Sequence, residues 1–238
     1  MSTTIDHDTG LRRPAAAGLW LLPAYGVALA LSTITQQPDV DEDFASYARY
    51  VTTDQFLVSH LVASIGGSAL AVLGVISALT FLTRGRARRG ALTGAVLTVV
   101  AAVYLAATFG SAAFVQPGVG RAYLSGLPGA EALNADTAYG DALTATIGAS
   151  VLVFAIAAIT FGSAVARTAP ELRWAGIGYA VTLPLFAISG ILGIAAGTQP
   201  AAGILFAVAT TVLARRLPAV TSWPRRSKVS RSTTAGAS

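Results

Sequence analysis

The chain has 238 residues, of which 54% are hydrophobic and only 11% charged, with a mean hydropathy of +0.64; an ordinary soluble domain carries about 25% charged residues. That balance excludes a water-soluble globular protein and predicts an all-α polytopic membrane protein, a six-transmembrane-helix bundle made largely of Ala, Leu, Val, Ile and Gly. The net charge is +5, and a chain without Cys has no disulfide, thiolate metal site, iron–sulfur cluster or covalent c-type haem.

In chain order, residues 1–14 read as a cytoplasmic N-terminal tail, in which Asp6 and Asp8 precede Arg12 and Arg13. The apolar run that follows continues to about Thr35 without a small-x-small cleavage site, so it is a retained span and not a removed signal. A helix needs about 20 apolar residues to cross a roughly 30 Å hydrocarbon core. Six stretches free of Lys, Arg, Asp and Glu meet or approach that length, at 15–35, 56–82, 90–115, 142–166, 174–197 and 200–214. The last is short, with Arg215 and Arg216 as its interfacial stop. Between spans, 41–52 and 128–139 read as short helices over one mouth of the bundle, although Gly and Pro around 117–129 predict a less regular second loop. Residues 15–217 thus form one transmembrane domain, and 218–238, rich in Pro, Ser and Arg, read as a basic disordered cytoplasmic tail.

Charge orients this arrangement, because Lys and Arg near span ends accumulate on the cytoplasmic side. Of the 16 basic residues, all but Arg49 and Arg121 fall on the side of the N-terminus. The opposite side collects Asp39, Asp41, Glu42, Asp43, Asp54, Glu131, Asp136 and Asp141. Both termini are therefore expected in the cytoplasm of a cell that carries this protein in its plasma or inner membrane. Beside spans, the basic clusters read as topology signals and contacts for anionic lipid headgroups, not as a nucleic-acid surface.

Self-similarity is present. LVASIGGSAL at Leu61–Leu70 aligns without gaps on LTATIGASVL at Leu143–Leu152, and Leu11–Gly26 aligns on Leu172–Ala187 with a shared Leu-Pro and an aromatic two residues beyond the Pro. Gln37-Pro38, Gln116-Pro117 and Gln199-Pro200 mark the ends of the three outward-going spans. These features are consistent with three repeated helical hairpins, 11–84, 90–167 and 172–216, or with helix-ending grammar in a chain of small residues.

Small residues at helical spacing, such as Gly90 and Gly94, Ala158 and Gly162, and Gly193 and Gly197, predict close helix packing within the chain, or else a homo-oligomer or another membrane protein as partner. Pro23 and Pro184 should bend the first and fifth spans. His60 is the only ionisable side chain, tyrosines aside, inside a span, and an intramembrane ionisable group is by default a candidate site. Ser64, one turn deeper, and Asp54, just outside, complete the ligand-binding candidate His60, Ser64 and Asp54; the bland alternative is an interfacial polar residue, since the aligned position is Ala142.

No catalytic, metal or cofactor motif is visible, and with Met1 the only Met and His7 and His60 the only His, a buried haem would lack two strong axial ligands. The expected function is therefore non-enzymatic, a small-ligand or lipid binding protein or an accessory subunit of a membrane complex. A small transporter or channel with an uncharged polar path is the first alternative, and a membrane enzyme using His60 with outer-loop acids the second. A one-sided cavity lined by Ser and Thr would favour transport. An acid converging on His60 would favour an enzyme, and an exposed small-residue face without a cavity would favour a subunit.

Overall fold

The computed structural model describes residues 7–83, 85 and 87–221, and every regular element among them is helical. The first span is divided into α1 (His7–Gly18) and α2 (Leu21–Ser32). Pro23 has no N–H to offer the Leu19 carbonyl, which accepts instead from Leu22 N at 3.2 Å in a tightened turn. Two short helices follow, α3 (Phe44–Val51), capped by the Asp43 carboxylate on Ser46 N at 2.9 Å, and α4 (Asp54–Val58), capped by Thr53 Oγ1 on Phe56 N at 3.2 Å. The second span continues from α4 through a π-helical stretch, Ser59–Gly66, into α5 (Gly67–Leu82). Then come α6 (Arg88–Phe114), α7 (Gln116–Leu124), α8 (Ala130–Thr137), α9 (Asp141–Ala166), α10 (Arg173–Ile191) and α11 (Ala195–Val220). Six of the resulting helical stretches are long and apolar enough to cross a membrane.

Each span packs on the next in the chain, and α11 returns to α2, so the six close into a ring. Lipid supplies no hydrophobic force between helices, so the ring depends on close backbone approach. A Cβ on Gly94 would lie 2.6 Å from the Phe161 nitrogen, one on Gly162 2.6 Å from the Gly176 carbonyl oxygen, and one on Gly203 2.7 Å from the Ala30 nitrogen. Those three glycines join α6 to α9, α9 to α10 and α11 to α2. Gly193 and Gly197 act differently: with φ of +69° and +75° they turn the chain from α10 into α11 and meet no neighbour.

One end of the ring carries Arg12, Arg13, Arg88, Arg89, Arg167, Arg173, Arg215 and Arg216, with Trp20 and Trp174 exposed nearby. There Arg12 Nη2 donates to the Thr221 carbonyl at 3.2 Å, tying α1 to the last helix. In this basic half Leu19, Leu22, Phe161, Tyr179, Phe206 and Leu213 fill the centre. At the acid-rich end, α3, α7 and α8 pack together as a cap, in which Tyr47 and Val51 of α3 are buried with Phe56 of α4.

Several boundaries depart from those expected. The sixth span is not short: α11 is continuous past Arg215 and Arg216, and Arg215 lies over the Trp20 ring at 5.8 Å, a long side chain reaching the interface from within a helix. Residues 218–220 are consequently helical, and 222–238 of the expected tail lie outside the described residues. The fifth span stops at Ile191, not near residue 197, because Gly193 reverses the chain. Gln116-Pro117 and Gln199-Pro200 therefore open helices: Ala196 and Gly197 have non-helical backbone, so the regular part of α11 begins after them, and Pro in a first turn has no intrahelical bond to lose. The segment 117–129 is more regular than expected, being α7 through Leu124. The N-terminal segment is helical from His7, while residues 1–6, Arg84, Arg86, Arg225, Arg226, Lys228 and Arg231 lie outside the described residues.

Candidate functional site

The ring is filled at its basic half and open at its acid-rich half, where a cavity of about 460 Å³ is lined by all six spans. Leu29 and Ser32 come from α2, Ser59, His60 and Ser64 from the π-helical stretch, and Leu105, Thr108 and Phe109 from α6. Ile147, Ser150, Val151 and Phe154 come from α9, Phe186, Ala187, Gly190 and Ile191 from α10, and Gln199 from α11. The volume falls within the roughly 300–1,000 Å³ of small-molecule sites. Thr35, Gln36, Gln37 and Tyr50 surround the mouth, where Gln55 Nε2 donates to Thr35 Oγ1 at 2.8 Å and Gln37 Nε2 to Tyr139 Oη at 2.9 Å.

Aromatic rings close the floor. Tyr25 meets Phe206 edge-on at 5.9 Å, Tyr179 meets Phe206 at 5.0 Å and Phe161 meets Tyr179 at 5.3 Å between centroids. Tyr25 is 4% exposed, and its hydroxyl forms no hydrogen bond with a described residue. The cavity is thus a blind vestibule.

His60 stands in the vestibule wall. Its Nδ1 lies 2.9 Å from the Phe56 carbonyl oxygen, which has no hydrogen to give, so Nδ1 carries the proton and Nε2 presents a lone pair. The ring is held between Phe56, at 4.1 Å, and Phe109, edge-on at 6.2 Å. π-helical turns are frequent at functional sites, and here the stretch carries both His60 and Ser64 in the cavity wall.

Of the three residues expected to form a site, His60 and Ser64 come together and Asp54 does not. Asp54 is exposed in the first turn of α4, and no Asp or Glu lines the vestibule. The Asp39–Asp43 run lies in the cap instead. Asp39 accepts from Asp41 N at 2.8 Å, and Asp43 bonds both Ser46 N and Ser46 Oγ, bonds that hold its carboxyl below the usual range. A second depression, beside Tyr139, is lined by Asp41 and Glu131. Among the described residues no group of three His, Cys, Asp or Glu is placed to hold a metal ion. In the cap, Tyr47 donates to Asn134 Oδ1 at 3.2 Å, and burial pushes Tyr47 and Tyr139 above the ordinary tyrosine range.

Sequence reasoning missed Tyr25, Thr108, Phe109, Ser150 and Gln199. One signal was present: the aromatics two residues beyond Pro23 and Pro184 are Tyr25 and Phe186, and both line the vestibule. The aligned segments Leu61–Leu70 and Leu143–Leu152 bury Ser68 and Ser150 alike, but they turn different positions to the cavity, Ser64 in one and Ile147, Ser150 and Val151 in the other. No protein-family model, no curated protein and no solved structure matches this chain.

Proposed function

We propose that the protein is a membrane receptor for a small, mostly apolar molecule, held in the vestibule between the six spans. The observation that carries this reading is the blind cavity to which every span contributes, apolar over much of its wall, polar at defined points and free of Asp, Glu, Lys and Arg. A subunit role fits less well, since Gly94, Gly162 and Gly203 are used up in contacts within the ring. An enzyme pairing His60 with an acid lacks the acid, Asp54 being exposed and outside the wall.

In this reading the acid-rich end faces the cell exterior and the basic end the cytoplasm, so the vestibule takes its ligand from outside or from the outer leaflet. The basic rim then rests against anionic headgroups. The three-hairpin repeat is retained in this proposal on one match alone, Tyr25 and Phe186 as corresponding floor and wall aromatics, while the aligned segments Leu61–Leu70 and Leu143–Leu152, which turn different positions to the cavity, speak against it. To test it, the protein is extracted with its native lipids and weighed by native mass spectrometry beside a Thr108→Trp variant, which fills the cavity from α6. A bound lipophile present in the first and absent in the second is expected. Equal content in both overturns the vestibule as a binding site.

Transport is the second reading, favoured by the one-sided cavity lined by Ser and Thr and by the location of Pro23 and Pro184 two residues from Tyr25 and Phe186. Helices weakened there could shift the floor aromatics aside. Accumulation of the identified ligand inside reconstituted vesicles distinguishes transport from retention.

A further inference from the structure

The Ser and Thr hydroxyls that surround His60 in the vestibule wall are already committed as donors. Ser32 Oγ gives its proton to the Leu29 carbonyl at 3.0 Å, Ser59 to Phe56 at 2.8 Å, Thr108 to Tyr104 at 3.0 Å and Ser150 to Ile147 at 2.8 Å. Ser64 does the same at the longer distance of 3.5 Å to the Ser59 carbonyl. Each of these hydroxyls turns only oxygen lone pairs to the cavity. His60 adds a stronger acceptor, because the Phe56 carbonyl holds the proton on Nδ1 and leaves Nε2 bare. Uncommitted donors are confined to the mouth and the floor. Gln36 and Gln37, in the loop after α2, and Gln199, in the first turns of α11, each keep a second N–H beyond the one they already donate. The Thr35–Tyr50 pair leaves one O–H over, and among the described residues the Tyr25 hydroxyl at the floor has no partner.

Such a wall selects for a ligand that donates. We infer that the vestibule binds an uncharged amphiphile with an alcohol or phenol head, whose O–H donates to His60 Nε2 while its apolar body lies against residues such as Leu105, Phe109, Ile147 and Phe154. An ammonium head would donate as well, but it would bring a full charge into a chamber that holds no carboxylate to compensate its lost hydration. An ether or ester head of the same size would set an oxygen lone pair against that of Nε2, leaving Nε2 unpaired. Water can also donate, but the apolar part of the wall offers it few bonds. This inference rests on the vestibule being a binding site.

The test uses the full chain in phosphatidylcholine nanodiscs, with empty nanodiscs as the partition control. Equilibrium binding is measured for decanol, para-hexylphenol, the methyl ether of each, and decylammonium, on the wild type, His60→Phe and Thr108→Trp. The expected result is that alcohol or phenol binds about fivefold or more tightly than its ether, the worth of one hydrogen bond. His60→Phe, which keeps a ring between Phe56 and Phe109, should abolish that preference without abolishing binding. Whichever of decanol and para-hexylphenol shows the larger preference identifies the kind of O–H. In wild-type protein labelled with nitrogen-15 histidine, where His7 and His60 are the only two histidines, the Nε2 resonance of His60 should move with the alcohol and not with the ether. Equal binding of ether and alcohol, or tighter binding of the ammonium, overturns the donor inference and leaves the vestibule as a site. Binding of none of the probes, with Thr108→Trp indistinguishable from wild type, overturns both.

Discussion

At Gly94 an added methyl group would lie 2.6 Å from the Phe161 backbone nitrogen, a distance that neither helix can yield without parting. At Gly148, also inside a helix, it would meet nothing within 4 Å. Two substitutions of the same chemistry should therefore act in opposite directions. Gly94→Ala is expected to destabilise by about 1–3 kcal/mol through overpacking of α6 on α9, and Gly148→Ala to stabilise by about 0.5–1 kcal/mol by restricting the unfolded backbone. Thermal unfolding in one detergent reads both, and a destabilised Gly148→Ala would show that α9 has a neighbour there. In the sequence these glycines look alike, both set among small and apolar residues. His60 and Ser64 are legible because an imidazole stands out in an apolar run. Tyr25 and Ser150 are not, because hydroxyls and aromatics occur on every span and only the closed ring decides which of them turn inward.

At the scale of elements, the cap helices are the part most open to titration. Asp43 is held below its ordinary value of 3.8 by its bonds to Ser46, so its contribution to the cap is present above that value and lost as pH falls through the lower folded one. Tyr47 is displaced the other way, mainly by burial, so its contribution is complete below the ordinary tyrosine value of 10.0 and lost as pH rises through the higher folded one. Hydrogen exchange of α3, corrected for intrinsic rates, should consequently quicken at both extremes, with Asp43→Ala removing the acid limb. Tyr47→Phe should remove the alkaline limb and cost the cap about 1–3 kcal/mol by leaving Asn134 Oδ1, 3.2 Å away, unpaired. Exchange that is flat with pH in the wild type would mean that neither residue governs the cap. The short helices at 41–52 and 128–139 can be foreseen from polar, helix-forming stretches between breakers, whereas α7 cannot, since Pro117 looks like a terminator until it is seen in a first turn. The π-helical stretch is equally hidden, because the apolar pattern of Ser59–Gly66 reads as an ordinary helix. Deleting Val62, which is 63% exposed, should return that stretch to α-helical register, rotate His60 out of the wall and abolish capture of the bound lipophile while the span still inserts. Retained capture in the deletion variant would show that the π turn does not aim His60.

For the molecule as a whole, the side of the membrane to which the vestibule opens would decide from where the proposed ligand enters, and the charge distribution carries the expectation for that side. Among the described residues Arg12, Arg13, Arg88, Arg89, Arg167, Arg173, Arg215 and Arg216 share the filled end of the ring, and only Arg49 and Arg121 share the open end with the acids. A basic side chain near a span end resists translocation, and several acting together fix the orientation of short-looped proteins. The six spans and the sidedness of these charges are legible in the sequence; that one half of the bundle is hollow is not, because it depends on how the bulk of Tyr25, Phe161, Tyr179 and Phe206 distributes along the ring axis. The chain has no Cys, so single cysteines report without background. Asp41→Cys and Glu131→Cys, both on exposed positions of the cap, should react with an impermeant maleimide in intact cells, and Arg89→Cys and Arg216→Cys, exposed at the other end, only after permeabilisation. The reverse pattern would turn the vestibule toward the cytoplasm and make its ligand an intracellular one, leaving the fold and the His60 wall unchanged. Labelling of all four in intact cells would instead reveal two populations of opposite orientation, a result that the asymmetry of the arginines argues against.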